Sequence, residues 1–326
     1  MRIQNWGWAC SHVKAIDVVT ADEKKLHCDE KENSDLFWAA RGAGPGFPAI
    51  ITRFHLQTRP LPTCIRSSAY IYAKKDFKKA FNWIKDISPN FDNDTENVCV
   101  GQYMPEYEES VIFILLVTFK WSDEDAVTAL KPAEDTHPDG CLQKWFAKAD
   151  SLPQEYENQA GANPNGHRYC CDNAYIGNDE DVGSVLEEAF TTLPTRKAFS
   201  LWYAMAPVSR KPLPDMALSV QSDHYFALYT IWEDEKDDDR CQRWVRDTMS
   251  NVEKHSVGAY LGDSDFQVRR TKYWSDENAE RLRLVRQKYN PDGLICGYLD
   301  AGDRSGLDGL PNKHEWAENS GHEALQ

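Results

Sequence analysis

Over the first sixty residues, short apolar runs alternate with turn chemistry. The run VKAIDVVT at 13–20 predicts a strand, 21–23 a turn, and KLHC at 25–28 its hairpin partner. Asn33-Ser34-Asp35 predicts the N-cap of a short helix over 36–40, because such side chains accept the free amides of a first turn. The segment Arg41-Gly-Ala-Gly-Pro-Gly46 is too rich in glycine and proline for a regular element and reads as a tight loop feeding a strand over 49–57. Pro60-Leu61-Pro62 marks a domain boundary.

Beyond residue 64 the pattern becomes one of strands alternating with amphipathic helices. Helical spacing predicts helices over 77–87, 123–130, 142–149, 184–192 and 238–251, and strands are predicted over 98–104, 111–120, 199–207 and 217–232. Residues 152–165, rich in Pro, Asn, Gly and Gln, read as a long surface loop, and the acidic run 233–240 as a solvated helix start. Ser275-Asp-Glu-Asn278 predicts the cap of a helix over 279–289 that stops at Asn290-Pro-Asp-Gly293. After 303 the chain is polar and predicts a mobile tail. In the two aromatic strands, Trp202 and Ala204 share one face and Tyr203 and Met205 the other, while His224, Phe226 and Leu228 oppose Tyr225, Ala227 and Tyr229. One face must pack on helices and the other is free to line a pocket; the pattern leaves open which is which. The fold class is α+β.

Charge narrows the function. The 326 residues carry 37 Lys and Arg against 52 Asp and Glu, a net charge of −15, which repels phosphate backbones and anionic lipid and argues against a nucleic-acid or membrane partner. No stretch approaches the roughly 18 consecutive apolar residues of a membrane span, and mean hydropathy is −0.64. The first ten residues lack the apolar core of a secretory signal. Nine cysteines form no Cys-x-x-Cys pair, so reduced thiols in a cytoplasmic protein are expected rather than a disulfide frame. The sequon Asn93-Asp-Thr95 matters only in a secreted chain. His167-Arg-Tyr-Cys-Cys171 is rejected as a metal site, because adjacent cysteines on a strand point to opposite sides. No Gly-x-Ser-x-Gly elbow supports hydrolysis. The glycine loop is not a dinucleotide fingerprint, since it runs helix-loop-strand.

Three segments, in order, carry a resemblance: Gly7-Trp-Ala-x-x-His12-Val13 with Val18-Val-Thr-Ala-Asp22; Asp35-Leu-Phe-Trp-Ala-Ala-Arg-Gly-Ala-Gly-Pro-Gly-Phe-Pro-Ala-Ile-Ile-Thr52; and Tyr273-Trp274 with Asn278-x-x-Arg281-Leu282 and Lys288-Tyr-Asn-Pro-Asp292. Together they resemble the fungal FAD-linked oxidoreductases of the vanillyl-alcohol oxidase and berberine-bridge-enzyme-like type, which carry a PCMH-type FAD domain. The resemblance implies that residues 1–60 form the C-terminal half of an FAD-binding domain and 61–272 a substrate domain, an antiparallel sheet covered by helices. It also implies that 273–302 return to the FAD side, with 303–326 as a polar tail. Family members carry an upstream segment with a glycine loop for the FAD pyrophosphate and a His that often bonds the flavin, and here Met1 falls just before the Gly7 motif. Two departures stand out: Pro48 removes an amide, and Asp276 replaces a common Gly.

The resemblance implies FAD as cofactor, a small organic substrate and O2 as acceptor. It marks Gly7, His12, Gly44, Gly46, Ile50, Ile51 and Asn278 as cofactor-binding residues and Tyr273 as the phenol that assists deprotonation while hydride leaves to flavin. Each residue also has a plainer structural reading: Gly42–Gly46 as a helix-to-strand turn, Ile50 and Ile51 as core strand residues, His12 as a satisfied structural histidine, Tyr273 as a buried aromatic, Asn278 as an N-cap. The competing functions are a flavin-free cyclase or binding protein reusing the substrate pocket, and an inactive, truncated family member whose uncovered apolar surface leaves open a homodimer.

Overall fold

The computed structural model describes residues 7–266, 269, 271–295 and 297, and the polar tail lies outside them. The chain forms two compact units, one of Met1–Gly7, Pro60–Arg210 and Ser222–Ser256, the other of Trp8–Arg59, Lys211–Gln221 and Val257–Gln326. The second unit thus takes in 211–221 and 257–272 as well as the stretches before 60 and after 272.

In the smaller unit, β1 (Val13–Thr20) pairs antiparallel with β2 (Lys25–Cys28) and β3 (Ala49–Leu56), in the order β2-β1-β3. Helix α1 (Ser34–Ala40) follows β2. The predicted cap fails here: Asn33 is left-handed at φ 47° and makes no side-chain cap bond, its amide donating instead to the His27 carbonyl at 2.7 Å. Ile16, Val18, Leu36, Phe37 and Trp38 form the core with Tyr273, Trp274 and Leu282.

The larger unit is built on β4 (Cys64–Ala73), β5 (Thr95–Gln102), β6 (Val111–Lys120), β7 (Gln143–Asp150), β8 (Arg168–Ile176), β9 (Phe199–Ala204) and β10 (His224–Trp232), in the order β8-β10-β9-β5-β6-β4-β7 with every pairing antiparallel. The three-residue β11 (Ser256–Gly258) lies beyond β8. Four helices share one face of this sheet: α2 (Phe77–Ile87), α3 (Asp123–Thr136), α5 (Val182–Thr191) and α6 (Asp238–Val252). Phe81 of α2 meets Trp202 at 5.1 Å, Phe190 of α5 meets Phe226 at 6.3 Å, Tyr70 donates to Glu134 of α3, and Trp232 to Asp238 of α6 at 2.6 Å. Each aromatic pair adds about 0.5–1.5 kcal/mol beyond the area it buries.

Two predicted elements are wrong, and the strand predicted over 217–232 begins only at His224. Residues 142–149 are not a helix but fall in β7, an edge strand paired with β4. Residues 152–165 are not a loop throughout: α4 (Leu152–Ala162) is capped by Ser151, whose Oγ accepts the Gln154 amide at 3.3 Å, with Pro153 in the first turn. The helix predicted over 279–289 begins earlier, as α7 (Asp276–Tyr289), with Ser275 as its N-cap.

A strap, Lys211–Gln221, is sewn onto the smaller unit. The Ala217 amide donates to the Trp38 carbonyl at 3.2 Å and the Leu218 amide to the Arg41 carbonyl at 3.0 Å. Arg41 donates to the Asp215 carbonyl at 2.7 Å. From α7, the Asn278 side-chain amide donates to the carbonyls of Met216 (2.9 Å) and Ala217 (3.2 Å). Gly42 sits at φ 129°, and a Cβ there would lie 2.1 Å from the Leu218 nitrogen.

Three outcomes are expected. Gly42→Ala, which meets backbone atoms in a region L-residues avoid, lowers unfolding free energy by about 3 kcal/mol or more in urea titration. Asn278→Leu leaves two carbonyls short of a donor and lowers it by about 2–4 kcal/mol. The third concerns His224, stacked on Trp202 at 5.9 Å with its Nδ1 buried and unbonded. Burial pushes this imidazole down to about 4, against the pull of Asp223. A depressed histidine stabilises the fold above its unfolded value near 6.5 and loses that contribution as pH falls toward 4, at most about 3 kcal/mol. The urea midpoint therefore drops between pH 7 and 4.5, and His224→Gln flattens that drop.

Candidate functional site

The sheet of the larger unit resolves the question that the strand pattern left open. Trp202, His224 and Phe226 turn toward the helices. The opposite face carries the in-register row Tyr175, Tyr225 and Tyr203, directly paired across β8, β10 and β9. The Tyr175 and Tyr225 rings stand 5.5 Å apart, and four residues along the strands Phe199 stacks on Tyr229 at 4.6 Å and 20°. Phe113 and Trp145 continue the same face across β6 and β7 at 6.0 Å. Tyr175 and Tyr225 are buried, while Tyr203, Tyr229, Phe199 and Phe113 are half-buried. Three phenols and a set of flat apolar rings on a rigid sheet can bind an organic molecule by stacking and orient it by hydroxyl hydrogen bonds. The helical periodicity and β-alternation carry this signal, but only the register shows that three tyrosines from three strands align.

The residues singled out in sequence lie as follows. Gly7, at φ 77°, falls with the larger unit and the other seven with the smaller. His12 ends a short 3-10 helix, Ala9–His12, and its carbonyl accepts the Gln57 amide at 2.9 Å. Gly44 takes φ 54°, and a Cβ there would press to 2.9 Å from the Leu261 side chain. Gly46 is buried, its carbonyl accepting from fully buried Arg286 at 2.6 Å. Ile50 is exposed at 57%, whereas Ile51 packs against the core. Tyr273 is only 5% exposed and sits edge-on to Phe266 (5.6 Å) and Trp274 (5.9 Å). Asn278 stands three residues after the cap Ser275, not at the cap.

These placements test how an FAD would fit. The glycines of the 42–46 loop admit Leu218 and Leu261, and Gly46 and Asn278 already serve Arg286 and the strap. The outer edge of β3 has no strand partner among the described residues. Alternate residues of such a strand turn both N–H and C=O outward, so of the adjacent pair Ile50 and Ile51 one offers its backbone to a ligand. Elsewhere in the smaller unit, charges pin α1 to α7 and to the strap. The Asp35 carboxyl, partly desolvated, is nevertheless held below its usual value by Lys288 at 2.7 Å, by the Tyr289 hydroxyl at 2.9 Å and by its own helix amide. Arg281 stacks over Trp38 at 4.0 Å and pairs with Asp215 at 2.7 Å.

No family model matches the chain. Among the described residues, no helix is long and apolar enough to cross a membrane. Curated relatives are similar over nearly its full length. They include the FAD-linked oxidoreductase ptmO of Penicillium ochrochloron, 36% identical over 301 residues (92% of this chain and 67% of that protein). A second is the FAD-linked oxidoreductase nodO of Hypoxylon pulicicidum, 33% identical over 296 residues (91% and 66%). The chain thus spans about two thirds of the length of these relatives. Among solved structures, BBE-like #28 from Arabidopsis thaliana shares the fold at a TM-score of 0.73 and 14% identity, over 91% of this chain and 68% of that one. A glucooligosaccharide oxidase of Acremonium strictum does so at 0.71 and 16%, over 88% and 65%. Ordered sequence signatures, the two-unit α+β fold and an identity of 36% to a fungal relative converge: the chain belongs to the fungal FAD-linked oxidoreductases.

Proposed function

We propose that the chain acts as an FAD-dependent oxidoreductase on a small organic molecule held by stacking against the tyrosine face of the large sheet, with O2 as the final acceptor. The observation that carries this reading is the aligned row Tyr175, Tyr225 and Tyr203 on the sheet face opposite the four helices. The smaller unit is assigned to the cofactor and the large sheet to the substrate. Ile50 and Ile51 hold the cofactor through the open backbone edge of β3. Bound FAD supplies the two-electron acceptor that no side chain can provide.

The chain's own groups position and deprotonate. The flat rings of Phe199, Tyr229 and Phe113 bind apolar surface and exclude water from it. Tyr203 is the half-buried tyrosine of the row and, in its phenolate form, is assigned the proton-accepting role at the substrate hydroxyl or amine. Tyr273, buried between Phe266 and Trp274, then orients the segment leading into α7 and does not touch substrate.

Excess FAD followed by desalting is expected to leave a stoichiometric flavin absorbance band on the folded chain; a monodisperse, folded protein without that band overturns the reading. With the band present, anaerobic addition of a panel of primary alcohols and secondary amines bleaches it, and air restores it. Tyr203→Phe is expected to retain the band and slow bleaching by about 10²-fold or more, whereas an unchanged rate would return the proton role to another group.

A further inference from the structure

The outer face of the three-stranded sheet carries a cluster that the oxidoreductase reading does not use. Asp17 lies on central β1, His27 directly across from it on β2, and His55 diagonally from it on β3. The Asp17 carboxylate bridges the two rings, Oδ1 at 2.7 Å from His27 Nδ1 and Oδ2 at 3.1 Å from His55 Nε2. The rings meet edge to face at 5.5 Å between centres. One donor atom from each residue lies within 4.8 Å of the other two.

That alignment depends on an irregular register. Between Asp17↔Arg53 and Val18↔Ile51 strand β3 carries one extra residue, Thr52, whose hydroxyl donates to the Asp17 carbonyl at 3.1 Å. A second shift near Val13 and Ala15 completes it. A side chain is re-aimed by such bulges, and here His55 shares the face of Asp17.

The geometry points to a divalent transition-metal site, with Asp17, His27 and His55 as ligands to Zn2+. Two imidazoles and a carboxylate match the donor set that zinc takes with three protein ligands and one open position for water. With bonds of about 2.0–2.1 Å, tetrahedral donors stand about 3.4 Å apart, so the present spacing needs only small side-chain rotations. On coordination each ring moves its proton to the nitrogen away from the metal. For His27 that nitrogen is Nε2, and Asp29 Oδ2 waits 3.9 Å from it. Asp29 is itself held, its Oδ1 accepting the amides of Lys31 and Glu32 at 2.7 Å each. A carboxylate on the far nitrogen of a ligating histidine is the usual outer partner of a zinc site. The competing cation is Arg53, whose Nε is 3.9 Å from Asp17 and whose side chain is otherwise 71% exposed. It swings into solvent at little cost.

The test uses the tag-free chain and ZnCl2 alone in calorimetry, with CoCl2 as a spectroscopic reporter. One equivalent of Zn2+ is expected to bind and raise the thermal midpoint, because the ion ties β2 and β3 to β1. Co2+ should give visible ligand-field bands without the near-ultraviolet thiolate charge-transfer absorption that ligation by a cysteine would produce. His55→Gln and Asp17→Asn each weaken binding at least tenfold, with far-UV circular dichroism of the metal-free protein unchanged, as befits side chains that are 40% and 31% exposed. No stoichiometric binding, a thiolate band, or affinity unmoved by both substitutions would overturn the assignment.

Discussion

The last turn of a seven-residue helix governs the smaller unit. A helix end leaves four carbonyls without an intrahelical donor, and α1 is too short to hide them by length. Its Trp38 carbonyl accepts from the Ala217 amide as well as from Arg41, and just past the helix the Arg41 carbonyl accepts from Leu218 and the Gly42 carbonyl from the Trp274 indole at 2.9 Å. The Ala217, Leu218 and Trp274 donors come from segments far away in sequence. The positive φ of Gly42, the bare Cα facing Leu218 and the Asn278 amide on the strap follow from that one need. Arg286 repeats the device one turn on, where its guanidinium reaches the Gly46 carbonyl.

Regular elements with strong periodicity were legible. Strands β1, β2 and β6 and helix α2 fall where the pattern puts them, since each buries one clear face. The failures have local causes. Helix α4 buries no residue, so it has no apolar stripe to find, although Ser151 with Pro153 is a start signal. Strand β7 is mostly exposed at a sheet edge, and Ala147, at φ 47° with its amide on the Ser68 hydroxyl at 2.9 Å, interrupts its alternation. A short run with a broken period reads equally well as a helix turn.

The chemistry was legible in a different measure. Ordered signatures pointed to the family. They also pointed to glycines and an asparagine as ligand contacts, whereas those residues make close backbone packing and carbonyl clamps within the unit. Both uses select the same residue types, because a missing Cβ admits a leucine as readily as a nucleotide. The aligned tyrosines of three strands and the Asp17 cluster depend on register and bulges, which pairwise sequence spacing does not encode.

The smaller unit is assembled from three separated stretches, the last beginning at Val257. During synthesis its first stretch, Trp8–Arg59, therefore emerges long before its partners. It leaves the ribosome with Ile50, Phe54 and Leu56 of β3 facing water even in the finished fold, at 52–59% exposure. Strands β4 to β10 precede α7 in the chain, so the residues of the large sheet are made before the helix that shares a core with the amino-terminal hairpin. An exposed apolar edge strand is a template for a wrong neighbour, and β3 carries that liability in the finished fold as well as during synthesis.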